Sequence, residues 1–275
     1  MARKAQALGL ALFLVGSALA AWGQEKSPNR IVSEKLIGKF HPSGIPESLK
    51  VSPDGKRVAY VAVSRGFFTG NKWFVVVDGK EEKQYDNIGP PIFSPDSKRV
   101  GYGAKEGNKW FVVIDGKEEK QYDNIAKGTP IFSPGSKRVT YAAKEGNKWF
   151  VVVDAKEEKP YDGIWAGSLT FSPDSKRVAY WARVGNKLFV VIDGKEEKPY
   201  DAIGDGPIFS PDSKRVAYGA KEANKKWFLV VDGNEGKQYD SLLRGGKVIF
   251  DSSDAFHYLA EHAGEQIYLV EGTIR

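Results

Sequence analysis

The chain has no cysteine, one methionine and three histidines among its 275 residues. Without cysteine there is no disulfide staple, no thiolate metal site, no cysteine nucleophile and no N-terminal lipid-modified cysteine. Also missing are a Gly-x-Ser-x-Gly elbow, a His-Glu-x-x-His pair, a Walker loop and a dinucleotide fingerprint. The histidines are His41, His257 and His262. His257 replaces a strand residue, the setting of a packed or surface side chain. A metal site needs three ligands on rigid elements, so neither a metal nor a cofactor is expected.

Long apolar runs are scarce too. One, Leu8 to Ala21, follows Arg3 and Lys4 and ends in small residues. At ~14 residues it falls short of the about 20 needed to span a bilayer. The small-x-small triplets Ala18-Leu19-Ala20 and Ala21-Trp22-Gly23 offer cleavage sites. Residues 1–23 therefore read as a cleaved export signal and 24–275 as one domain, periplasmic or secreted, with no membrane span after cleavage. The formal net charge of +6 becomes +4 without Arg3 and Lys4. Acidic and basic residues are interleaved, which is not the basic stripe that nucleic acid requires.

What the chain has is repetition. Phe-Ser-Pro-Asp-Ser-Lys-Arg-Val-Ala-Tyr occurs at 171–180 and again at 209–218, with near-copies starting at Phe93, Phe132 and Val51. A degenerate sixth copy starts at Phe250. Subtracting successive starts gives 42, 39, 39, 38 and 41 residues. In the second unit, Pro91-Ile92-Phe93 is an apolar stretch and Ser94 to Ser97 a turn. Arg99 to Ala104 and Trp110 to Ile114 are strands joined by a hairpin turn, and Asp115-Gly116 is a second hairpin turn. Glu119 to Ile125 is the last strand. Proline fixes φ, Ser and Asp fold back onto the backbone, and Asp-Gly suits a two-residue hairpin. Runs such as Trp149 to Val153 are apolar throughout, which requires cover on both faces.

The expected fold is all-β: a six-bladed β-propeller of four-stranded antiparallel blades, whose stacked blades bury their middle strands. The sixth unit ends after three strands, so Ile31 to Phe40 is expected to close the last blade as its fourth strand. The repeat resembles the WD40-like repeat of the TolB-type periplasmic propeller over Val51 to Arg275. That resemblance implies the fold. TolB carries a further N-terminal α/β domain for which the residues before Val51 leave no room, so its role in an envelope complex does not transfer.

The paired glutamates (Glu81-Glu82, Glu118-Glu119, Glu157-Glu158, Glu196-Glu197) recur in four successive units, unlike an asymmetric active site, and read as solvated turns. The Lys-Arg pairs, such as Lys98-Arg99, read as a wet rim. Function is expected where the copies differ. The candidate recognition face is Phe67, Phe68, Trp165, Arg183, Asp205 and Arg244, because aromatics and arginine dominate interfaces. The bland alternative is that Trp165 and Phe67 simply cap the ring. The leading expectation is a non-enzymatic scaffold for a protein, peptide or glycan partner. A propeller-based glycan hydrolase or lyase, or a self-associating envelope protein, remain the alternatives, and oligomeric state stays open.

Overall fold

In a computed structural model the structure describes residues 33–66, 70–204, 206–222, 226–242, 247–262 and 266–274. The chain divides into two units, Met1–Leu36 and Ile37–Arg275. Of the first, only 33–36 are described, exposed and without regular structure. The expected export signal lies outside the described residues. Among those residues, no helix is long and apolar enough to cross a membrane.

The described residues of the second unit are all-β apart from two 3-10 turns, and their strands form six antiparallel sheets, one per sequence repeat. The second sheet shows the plan. Val100–Glu106 and Lys109–Ile114 pair in register, Gly101 opposite Ile114 and Glu106 opposite Lys109. Outside them lies Lys117–Glu118, extended by a bridge from Trp110 to Tyr122. On the other side, Asn87–Ile88 and Ile92–Phe93 both pair with Val100–Glu106. They are two halves of one inner strand, interrupted at Gly89-Pro90-Pro91, where proline has no N–H to give the ladder.

This plan corrects two boundaries expected from the sequence. Asn124–Ile125 does not finish the second sheet; it pairs with Ala143 and Lys144 and so begins the third. The inner strand correspondingly starts at Asn87, ahead of Pro91. The chain changes sheets right after Tyr122, whose N–H still reaches Trp110, while that of Asp123 already reaches Lys144.

The sheets stack face on face. Five clusters of buried apolar side chains fill the five successive junctions. At each, a tyrosine from one outer strand meets the motif tyrosine of the next sheet edge to face, as Tyr85 does Tyr102 at 6.4 Å and Tyr122 does Tyr141 at 6.3 Å. The doubly covered strands are the runs that lack polar alternation.

The recurrent turn is built from its own side chains. Ser94 Oγ donates to Asp96 (2.6 Å) and accepts from the Arg99 N–H (2.9 Å), while Ser97 takes φ 65°. The aspartate of Asp-Gly clamps the motif arginine: Asp115 accepts from Arg99 Nε (2.8 Å) and from the Val100 N–H (2.9 Å).

The arginine does more than the wet rim expected of it. Arg99 Nη1 donates to the Lys137 carbonyl of the next sheet (2.9 Å), and its guanidinium lies over Phe132 at 5.3 Å. Arg57, Arg138 and Arg177 repeat both contacts. Beside each arginine a turn N–H donates to a serine hydroxyl of the following sheet, as Asp54 does to Ser97 and Asp96 to Ser136. The lysine of each pair, by contrast, stays in solvent; Lys98 is 82% exposed.

The ends of the stack differ. Leu269 is 60% exposed, whereas its counterparts Val75, Val112, Val151 and Val190 are fully buried. Its strand, Gln266–Thr273, pairs among the described residues only with Ala255–His262. At the other end Tyr60 and Phe74 of the first sheet are buried, with Phe40 stacked on Tyr60 (4.3 Å) and His41 edge-on to Phe74 (5.3 Å). Residues 33–40 form no strand, and the expected pairing of Ile31–Phe40 with the sixth sheet is not seen among the described residues.

Candidate functional site

Of the six residues expected on the recognition face, Phe67, Phe68, Asp205 and Arg244 lie outside the described residues. Trp165 and Arg183 are both in the fourth sheet. Arg183 sits opposite Gly163 in the ladder, packs over it and donates to the Gly185 carbonyl (3.1 Å). It shares a strand face with Trp181, two residues away, but does not line the groove that Trp165 lines.

Trp165 ends the first half of the inner strand. Its N–H donates to the carbonyl of Trp181 on the neighbouring strand (3.3 Å). The same bond joins Ile45 to Val61, Gly89 to Gly103, Ala126 to Ala142 and Gly204 to Gly219. Five sheets thus share one cross-strand position, filled by an aliphatic pair, a glycine pair, an alanine pair, a tryptophan pair and a glycine pair. Only the fourth places two indoles there. They lie parallel, 3° apart in plane, with centroids 5.7 Å apart. Ser168, closing the 3-10 turn Ala166–Ser168, locks them in place. Its hydroxyl donates to the Trp165 carbonyl (2.7 Å) and accepts from the Trp181 N–H (2.9 Å). Trp181 is half-buried against the fifth sheet, while Trp165 is 60% exposed.

The indole pair borders a groove of about 1110 Å³ over the inner strands of the fourth, fifth and sixth sheets. Gly204, Gly219, Trp227 and Leu242 also line it. Among the described lining the only charged side chain is Lys247, and there is no carboxylate. The sequence singles out Trp165 but not Trp181 or Trp227, which line the same groove. The available signal for Trp181 was the residue after the motif tyrosine: Val61, Gly103, Ala142, Trp181, Gly219.

The glutamate pairs are not merely solvated turns: Glu82, Glu118, Glu119, Glu157 and Glu158 each accept from a tyrosine, and Glu81 meets His41. Tyr102, Tyr141 and Tyr180 donate to Glu82, Glu119 and Glu158 of the preceding sheet at 2.6, 2.8 and 2.6 Å. Tyr85 and Tyr122 donate to Glu118 and Glu157 of the following sheet at 3.0 and 2.9 Å. Burial, then the neighbouring glutamate, raises these phenols; Tyr200 is pushed up to about 12 by burial and the Glu235 charge. Burial also raises Glu158, whereas the Lys83 ammonium lowers Glu118. These groups hold neighbouring sheets together.

The histidines each meet a carboxylate: His41 Nε2 lies 3.3 Å from Glu81, His257 Nδ1 2.8 Å from Asp251, and His262 Nδ1 3.5 Å from Asp240. Among the described residues no group of three or more such side chains is arranged to hold a metal ion.

No protein-family model matches the chain, and no curated protein matches it. Solved structures do. The β-propeller domain of the Trilobed protease from Pyrococcus furiosus matches at 15% identity over 85% of this chain and 82% of that one, with a TM-score of 0.45. TolB from Acinetobacter baumannii matches at 18% identity over 79% of this chain and 61% of that one, with a TM-score of 0.37. A eukaryotic initiation factor matches at 13% identity over 89% of this chain and 67% of that one, with a TM-score of 0.49. The structural neighbours thus include β-propeller proteins, at likenesses too low to carry site or function.

Proposed function

We propose that the chain is a non-enzymatic binding scaffold that presents the groove of the fourth to sixth sheets to a protein, peptide or glycan partner. The Trp165–Trp181 pair carries this reading. Two indoles stand at one position of one repeat where the other four have an aliphatic, glycine or alanine pair, and the outer indole is left largely exposed. A buried ring fills a core; an exposed ring stiffened by a second ring beneath it is a preformed platform, with little side-chain entropy left to lose on binding. The absence of carboxylates from the described lining favours binding over glycan hydrolysis, which needs a pair of them across the scissile bond.

The test compares wild type with Trp165→Ala on immobilised peptide and glycan arrays. Ligands retained by wild type and lost by the variant support the scaffold reading. Equal retention of every ligand removes the groove from it. Cleavage of a bound ligand, followed by mass spectrometry, makes the protein an enzyme.

The six sheets fit a six-bladed propeller whose last blade takes its fourth strand from the N-terminal side of the chain. His41 favours this. By the shared backbone bonds, it stands where the other sheets have Tyr85, Tyr122, Tyr161, Tyr200 and Tyr239, each on an outer strand. It makes their contacts as well, edge-on to Phe74 as Tyr85 is to Phe111. In that reading His41 pairs with Ile267, the counterpart of Trp110, and the Gly38 N–H reaches the Leu269 carbonyl. A cysteine-free chain makes this easy to examine: His41→Cys with Ile267→Cys should form an intrachain disulfide on mild oxidation. A chain that stays reduced, or links only between copies, overturns closure. Export with cleavage after Ala20 or Gly23 belongs to the same reading, and the mass of the mature chain checks it.

A further inference from the structure

The groove's composition narrows its ligand. Its volume of about 1110 Å³ exceeds the roughly 300–1,000 Å³ of pockets that hold a single small molecule, which suits a chain segment. Apart from aromatic rings, the polar side chains among its described lining residues are Thr170, Ser241 and Lys247. A sugar chain would bring several hydroxyls per ring, and each one desolvated without a partner is costly. A proline-bearing extended peptide brings flat apolar rings and few donors, and its polyproline-type backbone is ordered before it binds.

Three features match such a segment. The exposed face of Trp165 is flat and braced by Trp181, as ring-on-ring contact requires. Next to it Gly204 and Gly219 are bonded to each other and carry no side chains, so a second backbone can approach closely. Lys247 makes no ion pair among the described residues and is the one charged side chain of the described lining, which complements one negative charge.

We infer that the groove binds an extended, proline-containing peptide, stacking a proline on Trp165 and setting a carboxylate against Lys247. This rests on the scaffold reading above and gives it a ligand class.

The test uses an array of short proline-containing peptides, capped at both ends. Each glutamate-bearing peptide is paired with a twin carrying glutamine, and a neutral glucose hexamer is the control. Tryptophan fluorescence and calorimetry read binding at low and moderate salt. The expected result is binding of acidic peptides, weakened about tenfold by Trp165→Ala, the size of an aromatic contact. Lys247→Gln should abolish the preference for glutamate over glutamine and flatten the salt dependence. Gly204→Leu should block the slot in a folded protein. The nearest atoms to an added Cβ there are 3.7 Å away, and no left-handed backbone is involved.

Binding of the hexamer through Trp165, with no peptide bound, overturns the peptide assignment and leaves the scaffold standing. Peptide binding unchanged in both Trp165→Ala and Gly204→Leu overturns the location. No binding of either class by wild type overturns both the assignment and the scaffold reading.

Discussion

His41 Nε2 stands 3.3 Å from Glu81 Oε1, the place taken on Glu118 by the Tyr85 hydroxyl at 3.0 Å. An imidazole thus does at the first sheet what a phenol does at the later ones. His41→Tyr should therefore be tolerated, with an unchanged or higher denaturant midpoint. His41→Ala should lose about 1 kcal/mol, the size of one aromatic pair. Urea titration of the two variants against wild type checks the ranking. A tyrosine variant as unstable as the alanine variant means that the equivalence is only geometric.

Gly135 is the one glycine at the aspartate position of the described Ser-Pro-x turns, where the others have Asp54, Asp96, Asp174 and Asp212. Those aspartates accept from the turn serine at 2.6 Å, and that hydroxyl is the main reason their carboxyls sit below the usual range. Gly135→Asp should stabilise the third sheet. Removing glycine from the unfolded chain alone is worth about 0.4–1 kcal/mol. The carboxylate share has a definite pH signature. A carboxyl with a lowered folded-state pKa stabilises above its unfolded value, about 3.9, and that contribution fades as pH falls through the folded value. The gain should thus be full at neutral pH and shrink below pH ~4. Chemical denaturation at both pH values checks it.

Arg138 joins its own sheet to the next, through Asp154 on one side (2.7 Å) and the carbonyl of Ser175 on the other (3.2 Å). Arg138→Ala should cost about 1–3 kcal/mol, the range for hydrogen bonds to a charged group at a partly exposed site. Arg138→Lys should recover only part, because an ammonium cannot reach both sheets and cover Phe171. Lys137→Ala, at an exposed neighbour, should stay within about 0.5 kcal/mol. Denaturant midpoints of the three variants decide the matter.

The two indoles of the fourth sheet should separate stability from binding. Trp181 packs with Val190, Ile203 and Tyr218 between sheets, so Trp181→Ala should cost about 3 kcal/mol or more. Trp165, mostly in solvent, should cost far less while affecting binding most. Melting curves read beside the ligand titrations test both halves. A Trp165→Ala variant as unstable as Trp181→Ala would make the pair a core element.

The unit, its turns and its doubly buried strands are legible in the sequence, because proline, Asp-Gly and unbroken apolar runs act locally. The crossing of the chain between sheets is not. Between Tyr122 and Asn124-Ile125 there is only a bend at Asp123, with no proline or glycine to mark it, while the partner changes from Trp110 to Lys144 and Ala143. Trp165 is legible as a departure between repeats. Its partnership with Trp181 requires the ladder register, a non-local property. The arginines were misread because a charged side chain near a turn is usually hydrated, and the carbonyls that capture these belong to a repeat ~40 residues further on.

The contacts of the recurrent turns run in one direction. Arg57, Arg99, Arg138 and Arg177 and the turn N–H groups beside them reach forward, and Phe93, Phe132, Phe171 and Phe209 with the turn serines beside them receive from behind. The first sheet has Val51 and Gly55 where a receiver would need Phe and Ser, and the sixth has Ala255 where a giver would need Arg. A unit duplicated within the interior arrives with both halves of the joint matched. The identical stretches at 171–180 and 209–218 have the form of such a copy. A unit added beyond either terminus finds no counterpart, so the array can lengthen from within but cannot polymerise end to end through this chemistry.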